Sequence, residues 1–178
     1  MRRVGLVLVL SLAIALVGWV LQRHFGEQHV PLARARSQFT FTVKAPMAAA
    51  FPLFGPEGER AWASPEWDPE FVYPVPAKDV EGAVFHIHHG YHSATWVNTA
   101  FDARAGHAAY VYVIDGKLAT RIDVQLTPVD AGTTSVRVIY ERTALKPSVN
   151  PDVEDMAQKD AKMGPEWEQQ IEKYLKSR

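Results

Sequence analysis

The chain of 178 residues contains no cysteine. Disulfide staples, thiolate zinc sites, iron–sulfur clusters and a cysteine nucleophile are thereby excluded. No long run of one charge sign occurs and the formal net charge is −1, so the chain carries no electrostatic footprint for nucleic acid. It lacks a glycine-rich phosphate loop, and Ser93, Ser135 and Ser148 lack the strand–turn–helix context of a nucleophilic serine. Internal repeats and low-complexity linkers are also missing. What is present is a packable mix, 47% hydrophobic and 22% charged, at a length suited to one domain.

The N-terminus departs from those averages. Met1-Arg2-Arg3 precedes Val4 to Leu21, a run without a charge, and Gln22-Arg23-His24 follows. As a helix the run would span about 27 Å, close to the hydrocarbon thickness of a bilayer. It is longer than the apolar core of a cleavable secretion signal, and Trp19 falls where an interfacial aromatic would lie. Residues 1–24 therefore read as a transmembrane anchor, with a removed signal segment as the alternative. Residues 25–36 read as a tether and 37–178 as the domain. The expected location is a membrane with the domain on the outer side, or secretion. Beyond residue 35 the balance is mildly acidic, at −4, with no basic surface for anionic lipid.

The rest of the chain reads as α+β. Gln38 to Lys44 alternates as a strand, and Pro46 opens a short helix over Met47 to Phe54. A second short helix is expected within Gly55 to Arg60, then a loop over Ala61 to Pro69. Phe71 to Tyr73 is an edge strand ended by Pro74. Strand patterns follow at Ala83–His88, Ser93–Phe101, His107–Ile114, Leu118–Val129 and Thr133–Leu145. Asp115-Gly116 marks a hairpin between two of them. Ile122, Val124 and Leu126 should face the same way, as should Val136, Val138 and Tyr140. Arg121, Asp123 and Arg137 should form cross-strand charge pairs on the wet face. Val153, Met156, Met163, Trp167, Ile171 and Tyr174 recur at helical spacing from Asp152 to Lys176, with Asn150 or Asp152 as cap and Gly164-Pro165 as a kink or break.

This order resembles the helix-grip order of the START-like (SRPBCC) superfamily. The likeness extends to residues. Ala45-Pro46 is followed by Phe51-Pro52-Leu53-Phe54-Gly55-Pro56-Glu57-Gly58-Glu59-Arg60, then Ala61-Trp62 and Trp67-Asp68-Pro69. Thr95-Trp96-Val97, Phe101-Asp102, Tyr110, Val136 to Tyr140, Thr143-Ala144-Leu145 and Trp167 continue in sequence. The resemblance covers about residues 38–177. It implies a curved antiparallel sheet of six to seven strands wrapped on a long C-terminal helix. It also implies a hollow between them in which superfamily members bind lipids, sterols, polyketides and other apolar molecules. Some members are cyclases or hydrolases and some bind partner proteins, so the resemblance implies a fold rather than a reaction.

Eight aromatics are candidates for lining that hollow: Trp62, Trp67, Trp96, Phe101, Tyr110, Tyr112, Tyr140 and Trp167. Each could equally be core filling; as a set they point to a mostly apolar cavity in which hydroxyls orient a ligand. His86, His88 and His92 form a weaker alternative, a cluster with imidazoles for a metal or a pH-sensitive surface patch. Glu57 and Glu59 read as helix-capping carboxylates rather than an acid/base pair. No cofactor and no catalytic residue is expected. The expected function is binding of an apolar or amphipathic, lipid-like small molecule by an exported or membrane-tethered domain. A protein-interaction domain with a filled core, a metal-binding protein and a cyclase-like enzyme are the alternatives.

Overall fold

The computed structural model describes residues 30–89 and 92–178. The candidate membrane segment, residues 4–21, lies outside them. Among the described residues no helix is long and apolar enough to cross a membrane. The compact unit runs from Leu32 to Arg178.

Seven antiparallel strands form one sheet: β1 (Arg34–Val43), β2 (Glu70–Tyr73), β3 (Val84–His89), β4 (His92–Asp102), β5 (His107–Ile114), β6 (Leu118–Pro128) and β7 (Thr134–Ala144). Their order across the sheet is β1-β7-β6-β5-β4-β3-β2. Strands β2 to β7 are thus a meander, and β1 closes onto its far edge. Between β1 and β2 the chain makes α1 (Met47–Ala50), a 3-10 turn (Phe51–Phe54) and α2 (Pro56–Glu59). After β7 come a 3-10 turn (Pro147–Val149), α3 (Asn150–Asp160) and α4 (Gly164–Lys176).

Alternation in the sequence becomes a two-sided sheet. Phe39, Phe41 and Val43 of β1 are buried with Ile122, Val124 and Leu126 of β6 and Val136, Val138 and Tyr140 of β7. The intervening residues face outward, where Arg121 pairs with Asp123 at 3.4 Å and with Glu141 at 3.9 Å. Arg137, expected in that network, stands opposite Gln125 across the β6–β7 ladder and makes no ion pair among the described residues. At the β5–β6 hairpin Gly116 has a φ of 60°, the left-handed conformation that favours glycine.

Two local expectations are corrected, and the break expected in the C-terminal helical run is found. Strand β1 begins at Arg34, not Gln38, because β7 offers it a ladder from Thr143 to Thr134. Residues 34–36, expected as tether, therefore belong to the sheet. The C-terminal helical run is two helices, the second opening at the expected Gly164-Pro165. Neither Asn150 nor Asp152 caps α3; the Asn150 side-chain oxygen instead accepts from the backbone N–H of Ala33 at 2.8 Å.

Both helices pack on β1, and α3 also packs on β7. One charged group sits among the inward residues of β7. Arg142 is buried, and its guanidinium donates to both carboxylate oxygens of Asp160 at the end of α3, at 2.8 and 2.9 Å. It also donates to the Thr120 hydroxyl at 3.1 Å and to the Tyr112 hydroxyl, and lies 4.8 Å over the Tyr140 ring. Ser37 donates to Asp160 at 3.3 Å. Such a pair tolerates removal of both members better than removal of one. Asp160→Asn should lower stability by about 3–5 kcal/mol in urea unfolding. The double variant Arg142→Met/Asp160→Leu should recover more than half of that. A single-variant loss below about 1 kcal/mol, the range of a surface pair, would show that the pair does not hold α3 in place.

Candidate functional site

A cavity of about 220 Å³ lies under the inner ends of α2 and α4. Its floor is one cross-strand row. Tyr110 of β5 opposes Ile122 of β6, which opposes Tyr140 of β7. Trp96 belongs to the adjacent row, opposite Tyr112. The cover comes from two sources. Met163, Glu166, Trp167 and Gln170 approach from the start of α4, and Trp62, Ala63, Ser64, Glu66 and Trp67 from the loop after α2.

That loop is held by specific bonds. The Trp62 indole N–H donates to the Leu53 carbonyl at 2.7 Å, and that of Trp67 to the Pro56 carbonyl at 2.9 Å. Arg60 donates to Glu57 at 2.9 Å and to Asp68 and the Pro69 carbonyl, pinning both ends of the loop. The cap of α2 comes from a distance: Asp79 accepts from the backbone N–H of Glu57 at 2.8 Å and of Gly58 at 3.2 Å. Gly55 makes room for it, because a Cβ there would sit 2.2 Å from the Asp79 carboxyl carbon. With their indole nitrogens fixed, the rings face inward. Trp62 meets Trp167 edge-on at 5.2 Å and Trp67 meets Trp96 at 5.3 Å, geometries favoured by the ring quadrupole.

Three polar groups open into this aromatic space. The Trp96 indole N–H and the Tyr110 hydroxyl are buried and have no hydrogen-bond partner among the described residues. Leaving a buried polar group unpaired costs roughly 1–3 kcal/mol. The third is Glu59, only 9% exposed. Burial, with the neighbouring Asp79 carboxylate, pushes its carboxyl up to about 8. Burial and the charges of Glu59 and Asp79 raise the Tyr110 phenol, and burial likewise raises Tyr140. Glu59 and the two phenols are therefore mainly protonated at neutral pH.

Six of the eight candidate aromatics meet at the cavity: Trp62, Trp67, Trp96, Tyr110, Tyr140 and Trp167. Phe101 does not; it packs on Phe51 with centroids 4.7 Å apart. Tyr112 faces inward but stands behind Trp96, stacked on it at 4.2 Å, and receives the Arg142 hydrogen bond. His86 and His88 project from β3 with rings 6.4 Å apart. His88 contacts Glu70 at 3.3 Å and His86 contacts the Thr95 hydroxyl at 3.3 Å; the side chain of His92 lies outside the described residues. Among the described residues no three His, Asp or Glu side chains converge as a metal site. Glu59 corrects an expectation: Asp79 does the capping, and Glu59 is a buried lining group. The signal for it was its spacing, three residues before Trp62, which puts both on one side of a helical turn.

The Glu59 carboxyl leaves a mark on stability. Its pKa is raised from 4.5 to about 8 on folding. Between those values the unfolded chain has released the proton that the folded protein keeps. Stability should therefore fall by about 1.4 kcal/mol per pH unit from about 4.5 to 8 and level off above. Asp79, also raised by burial, adds to the same trend. Denaturant titrations at pH 5, 6.5 and 8 should show it, and Glu59→Gln should flatten most of it. An unchanged slope in that variant would place the linked proton elsewhere.

No family model and no curated protein matches the sequence. Solved structures do match. Norcoclaurine synthase from Thalictrum flavum, in complex with dopamine and hydroxybenzaldehyde, is similar with a TM-score of 0.61 and 11% identity, over 83% of this chain and 89% of that one. Ara h 8.0201 is similar with a TM-score of 0.58 and 15% identity, over 82% and 100%. A protein from Thermobifida fusca solved in solution has a TM-score of 0.58 and 15% identity, over 78% and 92%. At such identities the likeness carries fold and not activity. The chain has the helix-grip fold: a seven-stranded antiparallel sheet with its C-terminal helices laid on the inner face.

Proposed function

We propose that the domain binds a small hydrophobic or amphipathic molecule in the cavity between the sheet, the Trp62–Trp67 loop and α4, and that residues 4–21 hold it at the outer face of a membrane. The observation that carries the binding reading is an aromatic-walled cavity into which two buried, unpartnered polar groups open. A core filled only for stability gains nothing from leaving them unpaired. A ligand that fills the space would supply their partners.

The volume bounds the ligand. Drug-sized pockets enclose about 300–1,000 Å³, so 220 Å³ suits a molecule of ring size or the end of a longer chain. A neighbouring groove of about 350 Å³ shares Trp62, Ala63, Ser64 and Gln170 with the cavity and continues past Lys173 and Tyr174. A lipid-like molecule would place its terminus inside and its remainder along this groove. Support for the anchor is the uncharged run of residues 4–21, long enough to span a bilayer.

Native mass spectrometry of the full chain, released from mild detergent, is expected to show a co-purifying small molecule. Ala63→Trp at the rim should plug the entrance and lower the affinity for a solvatochromic apolar dye by roughly tenfold or more, about 1.4 kcal/mol, with the melting temperature nearly unchanged. Unaltered dye binding would place the ligand elsewhere. For the anchor, the full chain should remain with membranes after alkaline carbonate extraction, and a chain lacking residues 1–29 should be released. Equal release of both would reject the tether.

A further inference from the structure

The ionisable side chains around the cavity are all acidic. Glu59 lines its depth, Glu66 and Glu166 stand exposed at its rim, and among the described residues no lysine, arginine or histidine lines it. Asp79 adds a fourth carboxylate behind Glu59, close enough to raise its pKa. Four tryptophans and two tyrosines complete the wall. An anion would meet carboxylates without a counter-charge. A cation would meet aromatic faces, whose quadrupole attracts it, and a carboxylate at the end of the path. The acidic residues alone would not make a site. The second observation is independent of them: the hydroxyl of Tyr110, 3% exposed, and the indole N–H of Trp96, 7% exposed, border the same space without a partner. The Tyr110 oxygen can accept an N–H beside that accepted by Glu59. The Trp96 N–H, a donor only, is left for an acceptor on the ligand.

We infer that the molecule taken up in this cavity is an organic ammonium, its apolar body between the tryptophans and its cationic head against Glu59 and Tyr110. This rests on the cavity being a ligand site, as proposed above. The empty cavity lacks a counter-charge for Glu59, and an entering ammonium supplies it. Binding near neutral pH therefore drives the Glu59 proton into solvent. The titratable and charged groups facing Glu59 are Asp79, Tyr110 and Tyr140, with Glu66 and Glu166 at the rim. None of them is a cation that would already have ionised it.

Three isosteric probes test the inference on the full chain: 2-phenylethylamine, 2-phenylethanol and phenylacetate. Calorimetry at pH 7 is expected to rank the amine at least about tenfold tighter than the alcohol, with phenylacetate not binding. Amine titrations in two buffers of different ionisation enthalpy should reveal release of close to one proton. In Glu59→Gln that release should vanish and amine affinity should drop about tenfold or more, with alcohol affinity held within about twofold. Retained alcohol binding shows that the variant is folded. Equal affinity for amine and alcohol, or amine affinity unchanged in Glu59→Gln, would overturn the ammonium inference and leave the cavity reading standing. Binding of none of the three, together with dye binding unaffected by Ala63→Trp, would bring down both.

Discussion

A buried ion pair decides where the helices lie. Arg142 occupies an inward position of β7, between the apolar cluster around Tyr140 and a smaller one formed by Leu118, Ala144, Val149 and Val153. A guanidinium there is tolerable only with its charge matched. Asp160 matches it with two hydrogen bonds, so α3 has to deliver its last residue to that point. The chain then breaks over Ala161 to Met163, and α4 starts at Gly164, where the backbone comes so near β1 that an added Cβ would lie 3.3 Å from the Thr40 carbonyl oxygen. Trp167, one turn on, is thereby set edge-on to Phe39 at 5.3 Å and to Trp62 at 5.2 Å. The same guanidinium donates to Tyr112, on which Trp96 stacks. One residue thus positions aromatics on two sides of the cavity, although it does not line the cavity itself.

The cavity exists because two coverings meet imperfectly. Helix α4 packs on β1, at one edge of the sheet. The middle strands, with Tyr110 and Ile122, are roofed by the loop from Trp62 to Trp67. That loop has little regular structure, and its shape comes from indole N–H groups bonded to carbonyls, the Arg60 clamp and the remote Asp79 cap. A roof held at a few points does not collapse onto the floor. It also buries Glu59, which ends α2 immediately before the loop begins, and that burial raises the pKa of the carboxyl.

The sheet was legible because alternation is a strong local pattern. His107–Ile114 matches its predicted span, and the Asp115-Gly116 turn lies where glycine is required. The start of β1 was not legible, because Arg34 to Ser37 become strand only through pairing with a partner a hundred residues away. The aromatic lining was legible as a set from residue type and strand parity. Parity alone could not separate Tyr110 from Tyr112, which face the same way; the Arg142 hydrogen bond holds the second behind Trp96. Asn150 looked like a cap and instead binds Ala33, since a side chain near a helix start takes whichever donor the tertiary fold presents. Glu59 was hidden for a similar reason. Its spacing before Trp62 is the one local hint; what sets it apart from the half-buried Glu57 two residues earlier is Asp79 and a roof arriving from elsewhere in the chain.

The unpaired polar groups belong with this account rather than beside it. Tyr110 could have been phenylalanine with little loss of apolar contact, and each orphaned hydrogen-bonding group costs roughly 1–3 kcal/mol. Other inward polar groups find partners, Trp62, Trp67, Thr134 and Arg142 among them; the Asn98 side-chain oxygen is a third buried atom without one among the described residues. Two of these three unpaired atoms belong to residues of one cavity, beside a buried carboxyl whose pKa burial has raised, so most of the unfavourable terms gather in one place. A fold tolerates such a concentration where another molecule relieves it, and the relief adds directly to the free energy of binding. On that reasoning the least satisfied part of the core is the part given over to the ligand.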